Sequence, residues 1–181
     1  MNNKDQINYG NRILNLLQPQ SHHKVLEIGF GNGRLLEKLA PLVYHVTGID
    51  IEEKVVTRAS QRLDFANLML KTASAESLPF EDASFDQVIC SLSYHEFADA
   101  SKALAEIRRV LKPLGRLLIL DPDRNSFFTR FHFRFTPHGN EVIRSFEELR
   151  NELLEAGFSE VNGKQYRMYW LFGAMWLEGR N

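Results

Sequence analysis

The chain has little of what marks several classes of protein. Its 181 residues include a single cysteine, which excludes an internal disulfide framework, and Cys90 stands in an apolar run typical of a buried side chain. No apolar stretch is long enough to span a membrane, and Met1–Gln6 is polar rather than signal-like, so we expect a cytoplasmic protein. With 22 basic and 23 acidic residues, the chain lacks the positive charge of a nucleic-acid-binding protein, and no DNA partner is expected.

Short apolar runs alternate with helix-like stretches after an N-terminal segment, 1–23, that is expected to be helical. The predicted strands are Lys24–Ile28, His45–Ile49, Leu68–Thr72, Phe85–Leu92 and Gly115–Leu120, and the predicted helices are Arg34–Leu42, Lys54–Phe65, Ala98–Leu111 and Phe146–Ala156. Nearly continuous apolar strands separated by helices indicate a parallel sheet covered on both faces. The sequence therefore predicts one α/β domain over 1–181, built on a doubly wound sheet.

Local signals mark two of the predicted boundaries. Ser145 is a suitable N-cap for the last helix, and Gly157 is a suitable stop after it. Lys112-Pro113-Leu114-Gly115 predicts a tight turn into the fifth strand, and leucine at the third position favours type I over type II.

Three glycines, Gly29, Gly31 and Gly33, follow the first predicted strand at alternate positions. Glycine in an element interior costs about 0.5–1 kcal/mol relative to alanine, so this arrangement needs a reason. A generic strand-to-helix turn needs only one. In a doubly wound sheet this turn lies beyond the carboxyl end of a strand, where ligands bind, so the three glycines predict a nucleotide site.

The spacing of the motif narrows the kind of nucleotide. A dinucleotide fingerprint needs its third glycine at position 34, where the chain has Arg34, and no Gly-Lys-Ser/Thr follows as in a phosphate-binding P-loop. Glu27, two residues before the first glycine, repels pyrophosphate but suits a ligand that carries positive charge. Asp50 ends the second strand, where an acidic side chain can accept hydrogen bonds from both ribose hydroxyls. The alternative for Asp50 is a helix N-cap or a solvated turn residue.

The motifs, in this order, resemble those of the class I S-adenosylmethionine-dependent methyltransferases, within the small-molecule group that includes quinone-biosynthesis enzymes. VLEIGFGNG is similar to the cofactor motif of the family and GIDIEEKVVTRA to its ribose-binding strand end. ASAESLPFEDASFDQVICSLSYHEF resembles its adenine-side segment, and EIRRVLKPLGRLLILD its fifth-strand segment. The resemblance covers about Lys24–Asp121 well and implies a Rossmann-like sheet of seven strands, mostly parallel with an antiparallel last strand and a hairpin within Phe158–Leu177.

The resemblance also implies S-adenosyl-L-methionine as cofactor and S-adenosyl-L-homocysteine as product. The cofactor-binding set that it implies is Glu27, Gly29, Phe30, Gly31, Gly33, Asp50, Ile51, Ser74, Ala75, Glu76 and Ser91. Glu27 and the glycines would face the methionine part, Asp50 the ribose, and Ala75 with Glu76 the adenine. Ser74 stands where the family often has aspartate, and Leu114 replaces a usual glycine in the turn.

The chemistry that this implies is in-line displacement of a methyl group toward a small, apolar or aromatic acceptor. Such a reaction depends mainly on alignment, and aromatic faces favour the sulfonium cation. Tyr9, Phe30 and Tyr94 are the candidates for that contact. An oxygen or carbon acceptor also needs a base, for which His95 is the catalytic candidate; a structural histidine is the open alternative. No metal is expected.

Residues 127–135 read FFTRFHFRF, after the fifth predicted strand. A strand would place phenylalanines and basic residues on opposite faces, whereas a helix would gather four of the phenylalanines. Four interpretations stay open: a cap packed onto the domain, an acceptor-site lid over 124–144, peripheral contact with a membrane surface, and, as a minor option, binding of single-stranded RNA. The residues predicted to bind the acceptor are Tyr9, Tyr94, Arg130, Phe131, Phe133 and Arg134.

Two other function classes stay open. A nicotinamide-dependent oxidoreductase conflicts with Glu27 and with the position of the third glycine. A catalytically silent cofactor-binding or partner-binding module shares the donor motifs, so the sequence does not separate it from an enzyme.

Overall fold

Seven strands form one sheet, in the order β3-β2-β1-β4-β5-β7-β6. A computed structural model describes residues 3–135, 141–168 and 172–181. The strands are β1 (Lys24–Ile28), β2 (His45–Asp50), β3 (Leu68–Thr72), β4 (Phe85–Ser91), β5 (Leu111–Pro122), β6 (Ser159–Met168) and β7 (Phe172–Arg180). The helices are α1 (Asn3–Leu17), α2 (Arg34–Leu39), α3 (Glu53–Arg62), α4 (Ala100–Val110), α5 (Phe127–Phe135) and α6 (Phe146–Glu155). The predicted Rossmann-like α/β fold is confirmed.

The strand directions place a topological switch at the centre of the sheet. Strands β1 to β5 pair in parallel, whereas β7 runs antiparallel to both β5 and β6. The predicted antiparallel last strand and C-terminal hairpin are therefore confirmed. The chain moves outward from β1 to β3 and then returns to place β4 on the other side of β1. The crevice beyond the carboxyl ends of β1 and β4 is where this kind of sheet binds its ligands.

Helices cover the two faces of the sheet and form two apolar cores. One core packs α4 and α6 on the sheet, with Leu104, Ile107 and Leu149 as central side chains. The other packs α1, α2 and α3, with Ile13 and Leu36 buried between helix and sheet. Full burial of one such aliphatic side chain contributes about 1.5–3 kcal/mol to folding, so both faces stabilise the sheet that carries the site.

Helix boundaries follow identifiable local chemistry. The helix predicted over Arg34–Leu42 ends at Leu39 and continues as a 3₁₀ turn over Ala40–Leu42, because Pro41 has no N–H to donate to an α-helical bond. Ser145 caps α6 in a capping box with Glu148, and Gly157 follows with a φ of +88°. Both predicted signals at this helix are confirmed.

The turn before the fifth strand departs from prediction. Strand β5 begins at Leu111, four positions before the predicted Gly115. Leu114 has a φ of +66°, and a positive φ at the third residue of a turn belongs to type II, so the predicted type I turn is wrong. The resemblance had pointed to this position, where the family usually has glycine; here leucine takes up the left-handed conformation on the surface.

The N-terminal helix is fixed to the sheet by its last carbonyl groups. Gln87 Nε2 donates to the Leu17 carbonyl at 2.7 Å, and Arg116 donates to the carbonyls of Leu16 and Leu17 at 2.9 and 3.0 Å. Arg116 also forms an ion pair with Glu178 at 2.7 Å. These bonds satisfy the free carbonyls of the helix C-terminus and set α1 against the switch-point crevice.

Candidate functional site

The glycine loop after β1 has the backbone that only glycine adopts without strain. Gly29, Gly31 and Gly33 have φ values of +70°, +53° and +69°. A Cβ atom on Gly29 would lie 2.5 Å from Cβ of Ser93, whereas a Cβ atom on Gly31 would meet no atom within 4 Å. Gly29 is therefore required by packing, and Gly31 lies beside open space. Backbone at this point can approach a ligand closely.

Glu27 precedes this loop on β1 and is almost fully buried, with 3% of its surface exposed. Its Oε2 atom has no hydrogen-bond partner among the described residues. Burial raises the pKa of this carboxyl well above its usual value, and the charge of Asp50 acts in the same direction. A buried acceptor oxygen without a partner is costly, so this position fits a ligand that brings positive charge or N–H donors.

Asp50, at the end of β2, connects to the glycine loop. Its Oδ2 accepts a hydrogen bond from the Gly31 N–H at 3.1 Å, and its Oδ1 accepts one from the Glu52 N–H at 3.1 Å. Helix α3 begins after Glu52, so Asp50 is not its N-cap. Ile51 follows with 72% of its surface exposed. The carboxylate therefore stands at the rim of the crevice with Ile51 beside it.

The segment after β3 is held in place by the carboxylate of Glu76, which belongs to that segment. The Ser74 hydroxyl donates to Glu76 Oε2, and Glu76 Oε1 accepts from the backbone N–H groups of Ala98 and Asp99 at 3.0 and 3.3 Å. Burial alone would raise the pKa of Glu76, but these hydrogen bonds outweigh it and lower the pKa. The carboxylate of Glu76 thus fixes the start of α4, and Ala75 beside it is buried.

A pocket of about 610 Å³ opens at the switch point. It is lined by Glu27, Gly29, Phe30, Gly31 and Ser91, together with side chains of α1 and the start of α2 that include Tyr9, Ile13, Arg34, Leu35 and Lys38. The volume lies within the range of small-molecule sites. Five of the eleven predicted cofactor residues are thus brought together. The other six lie outside this lining: Gly33 ends the same loop, and Asp50, Ile51 and residues 74–76 follow neighbouring strands.

Helix α1 contacts the end of β4 through Tyr9. The Tyr9 hydroxyl and Ser91 Oγ lie 3.1 Å apart, within hydrogen-bond distance. Phe30, predicted as an aromatic face, is 4% exposed and packs in the core beneath the loop while it lines the pocket. Tyr9 and Phe30 therefore both border the pocket.

A buried histidine–carboxylate pair lies beyond β4 and β5. His95 Nδ1 lies 2.9 Å from Asp121 Oδ1, and the two residues are 6% and 1% exposed. Burial alone lowers the pKa of His95, but the hydrogen bond and charge of Asp121 outweigh it, and the pKa is raised. Asp121 Oδ2 has no partner among the described residues. The carboxylate fixes the orientation of the imidazole ring and stabilises its protonated form.

Two further acids lie on the other side of this imidazole. Ligand atoms of His95, Glu96 and Glu141 all lie within 4.8 Å of one another, and Nε2 of His95 is 4.0 Å from Glu96. Burial raises the pKa of Glu96, and the charges of Glu141, Asp121 and Asp50 add to this effect against that of His95. Three carboxyl groups, those of Glu96, Asp121 and Glu141, therefore surround His95.

Tyr94 does not reach the pocket, so its predicted contact with a ligand needs correction. The side chain is fully buried, its hydroxyl donates to Glu152 Oε2 at 2.7 Å, and the Arg144 guanidinium lies 5.0 Å from its ring centre. Arg144 also forms an ion pair with Glu152 at 2.9 Å. Tyr94 therefore links the loop after β4 to α6 through Glu152, while its ring packs edge-on against Phe97 of the same loop.

The aromatic segment predicted to bind the acceptor forms helix α5. Phe131 is 58% exposed, and Arg130 and Arg134 are exposed as well. None of the three lines the pocket, so the described structure does not bring them to it. The side chain of Phe133 lies outside the described residues.

In the part of the chain that the structure describes, none of the helices has the length and hydropathy of a membrane span.

Comparison with known proteins assigns the chain to a family. Residues 26–119 match the model of a methyltransferase domain. The ubiquinone/menaquinone biosynthesis C-methyltransferase UbiE of Rickettsia bellii is 30% identical over 179 residues, which cover 81% of this chain and 72% of the relative. The chain belongs to the S-adenosylmethionine-dependent methyltransferases.

One further relative of this methyltransferase, YcgJ, is similar both in sequence and in crystal structure. The methyltransferase YcgJ of Bacillus subtilis is 39% identical over 105 residues, which are 56% of this chain and 42% of that protein. The crystal structure of YcgJ superposes with a TM-score of 0.82 at 21% identity, covering 96% of this chain and 98% of that one. The chain spans less than half the length of the curated YcgJ sequence. The predicted cofactor, S-adenosyl-L-methionine, is supported by the family, and the glycine loop with the orphaned Glu27 oxygen fits it.

Several residues of the methyltransferase site were missed from the sequence. Asp121 stands next to the end of the buried strand β5, and an acid at that place after an apolar run was the signal available. Glu141 and Arg144 carried no local signal, because they reach His95 and Tyr94 only through the tertiary fold. The pocket-lining residues of α1 other than Tyr9 were missed for the same reason.

Proposed function

We propose that this protein transfers the methyl group of S-adenosyl-L-methionine to a small, apolar or aromatic acceptor that lies between the glycine loop and His95. Two observations carry the proposal: the buried His95–Asp121 pair, which follows Ser93 at the glycine loop, and the Glu27 oxygen that has no partner among the described residues. One side fits a cationic donor, and the other holds a group that can accept a proton.

On the donor side, we assign Glu27, Gly29, Phe30, Gly31, Gly33 and Ser91 to the methionine part of the cofactor. Asp50 would accept hydrogen bonds from the ribose hydroxyls, and Ile51 with Ser74, Ala75 and Glu76 would border the adenine. The sulfonium of the cofactor supplies an activated methyl group. Glu27 and Asp50 favour this cation by their charge, and the loop orients it by backbone contacts.

On the acceptor side, we assign His95 as the general base. Asp121 at Nδ1 directs Nε2 away from the carboxylate, and in the neutral ring Nε2 is then the proton acceptor. As a phenolic oxygen or a ring carbon of the acceptor bonds to the methyl carbon, the bond from that carbon to sulfur would break and S-adenosylhomocysteine would leave. The proton of that oxygen or ring carbon would go to Nε2 of His95. Asp121 would stabilise the imidazolium that results, and turnover would rise with pH as His95 loses its proton.

The acceptor class is supported by two observations. The pocket includes the apolar or aromatic side chains of Ile13, Phe30 and Leu35, which suit an apolar or aromatic molecule. The UbiE relative is named for quinone biosynthesis, and its acceptor class is compatible with such a lining. We further propose that residues 124–144 cover the acceptor, because the Val142 N–H donates to the His95 carbonyl at 2.9 Å.

The test is a purified-protein assay with labelled S-adenosylmethionine and a panel of phenols, naphthols and amines. Formation of S-adenosylhomocysteine and of a methylated phenol or naphthol, lost in His95→Gln, is the expected result. Calorimetric titration of S-adenosylhomocysteine into both proteins should give the same affinity. Binding of the cofactor with no turnover of any acceptor would favour the silent module, and a melting shift with NAD alone would favour the oxidoreductase.

The same assay in the presence of the chelator EDTA distinguishes two roles for His95, a general base or a ligand of a metal ion. Activity that survives EDTA supports His95 as base. Activity lost with EDTA and restored by a divalent ion would instead assign His95, Glu96 and Glu141 to a cation.

A further inference from the structure

Helix α5 presents phenylalanine and arginine side chains together on its exposed side. Phe127 and Phe131 are 72% and 58% exposed, and Arg130 and Arg134 are exposed beside them. On a helix, residues four apart lie above one another, and residues three apart lie in adjacent rows. Phe127 with Phe131 and Arg130 with Arg134 therefore form two neighbouring rows, which we call the α5 face.

The opposite side of α5 is fixed to the sheet. Thr129 is 1% exposed, and its hydroxyl donates to the Gly173 carbonyl at 3.1 Å. The Gly173 N–H donates to Ser126 Oγ at 2.9 Å, just before the helix begins. These bonds orient the helix, so the exposure of Phe127 and Phe131 follows from how α5 is held on the start of β7.

Charge in this segment is one-sided, although the chain as a whole carries −1. Residues 124–140 contain three arginines and two histidines and no aspartate or glutamate. Arg124 pairs with Glu148, which leaves Arg130 and Arg134 as the positive groups of the α5 face. Two exposed phenylalanines beside two arginines complement a surface with an apolar interior and anionic groups at its edge.

We propose that the α5 face docks on the surface of a membrane that contains anionic lipid. A helix of nine residues is about 14 Å long at 1.5 Å per residue, which is half the apolar thickness of a bilayer. It therefore lies in the plane of the interface, with Phe127 and Phe131 at the acyl boundary and both arginines at the headgroups. This inference does not depend on methyl transfer.

The test is partition of the full chain onto vesicles of phosphatidylcholine, alone or mixed with phosphatidylglycerol. We expect the parent protein to bind the mixed vesicles and to be released by high salt. Arg130→Gln with Arg134→Gln should weaken partition about fivefold for each arginine. Phe127→Ser with Phe131→Ser should weaken it at least about tenfold.

Matched controls come from exposed residues elsewhere. Tyr44 and Leu114 are 63% and 75% exposed, and Arg58 and Lys164 are exposed. Tyr44→Ser with Leu114→Ser, and Arg58→Gln with Lys164→Gln, should each change partition by less than about twofold. An equal loss in these pairs would overturn the proposal.

Two further outcomes keep the test decisive. Failure of the parent protein to bind mixed vesicles would overturn the proposal, as would binding of single-stranded RNA through the α5 face in its place. Thermal melting and titration of S-adenosylhomocysteine should be unchanged in both α5 pairs. If the phenylalanine pair does not fold, the arginine pair and the salt dependence decide the result.

Discussion

The two halves of the crevice hold their functional groups in different ways. On the donor half, backbone N–H groups of one loop donate to the end of the neighbouring strand: the Gly29 N–H donates to the Ile49 carbonyl at 2.8 Å, and the Gly31 N–H donates to the Asp50 carboxylate at 3.1 Å. On the acceptor half, side chains from distant parts of the chain meet, as Tyr94 and Glu152 do across 58 positions. The donor half is therefore encoded in short motifs, whereas the acceptor half depends on packing of the whole domain.

The largest effect is expected at the loop that defines the donor half. Gly29→Ala combines a positive φ with a Cβ atom 2.5 Å from Ser93, so we expect a loss of about 3 kcal/mol and a Tm lower by about 6–12 °C. Cofactor binding should be undetectable by calorimetry.

Gly31→Ala is the matched comparison for Gly29→Ala. A Cβ atom there meets nothing within 4 Å, so only the left-handed backbone is strained, at about 1–2 kcal/mol. Scanning calorimetry should show a smaller loss of Tm than for Gly29→Ala. Equal losses of Tm would mean that the contact with Ser93 does not determine the stability of the loop.

The next effect tests the acceptor half through the His95–Asp121 pair. Asp121→Asn removes the charge that raises the pKa of His95, so that pKa falls and the rise of turnover with pH moves to lower pH. Maximal turnover should fall about 100-fold, because the ring loses its orienting acceptor. Measured pH–rate profiles check this. A profile that keeps its midpoint would contradict the role of Asp121, and cofactor affinity should stay constant as the control.

A loss of similar size, but in binding, is expected on the donor half. Asp50→Ala removes an acceptor for charged hydrogen bonds worth about 1.5–3 kcal/mol each, so cofactor affinity should fall about 100-fold. Glu52→Ala serves as the control, because Glu52 is two positions away and its carboxylate forms an exposed ion pair with Lys54 at 2.8 Å. Titration calorimetry that finds both variants within threefold of the parent would refute the ribose assignment.

Glu27→Gln should change binding and stability in opposite directions. A carboxyl whose pKa is raised on folding stabilises the protein while protonated, and that contribution is lost as pH rises through the folded-state pKa. The amide of glutamine does not ionise, so the variant does not lose this stability as pH rises. Its Tm without cofactor should therefore be about 2–4 °C higher than that of the parent at neutral pH. Affinity for the cationic cofactor should fall about tenfold. Melting curves across pH that stay parallel to those of the parent would exclude Glu27 as the source of the pH dependence.

The smallest effect is expected where the halves meet, at Tyr9 and Ser91. Tyr9→Phe removes the hydroxyl that lies 3.1 Å from Ser91 and keeps the ring at the pocket wall. We expect cofactor affinity to fall about threefold, in line with one neutral hydrogen bond. Ser91→Ala is the complementary variant, and the double variant should show no further loss. Additive losses would show that the two groups act independently.

The sequence by itself determined the elements that obey local rules. Strands β1 and β3 have the predicted bounds, and Ser145 caps α6 as predicted, because period, capping and turn chemistry act within a few residues. The spacing of Glu27, the glycines and Asp50 was likewise sufficient to argue against a dinucleotide fingerprint and a P-loop and to favour a ligand with positive charge, since the loop is contiguous; S-adenosyl-L-methionine itself was implied by the family resemblance.

Only the tertiary structure decided the rest. The conformation of FFTRFHFRF stayed ambiguous in the sequence, because aromatic and basic residues at alternate positions suit a strand and a helix alike. In the fold it is helix α5, and the Thr129 hydroxyl holds that helix to the Gly173 carbonyl at the start of β7. Tyr94 looked like a ligand contact from its place in a loop, but packing against α6 buried it. The partner of His95 was also invisible, because Asp121 reaches it only when β4 and β5 pair in parallel and their carboxyl ends meet.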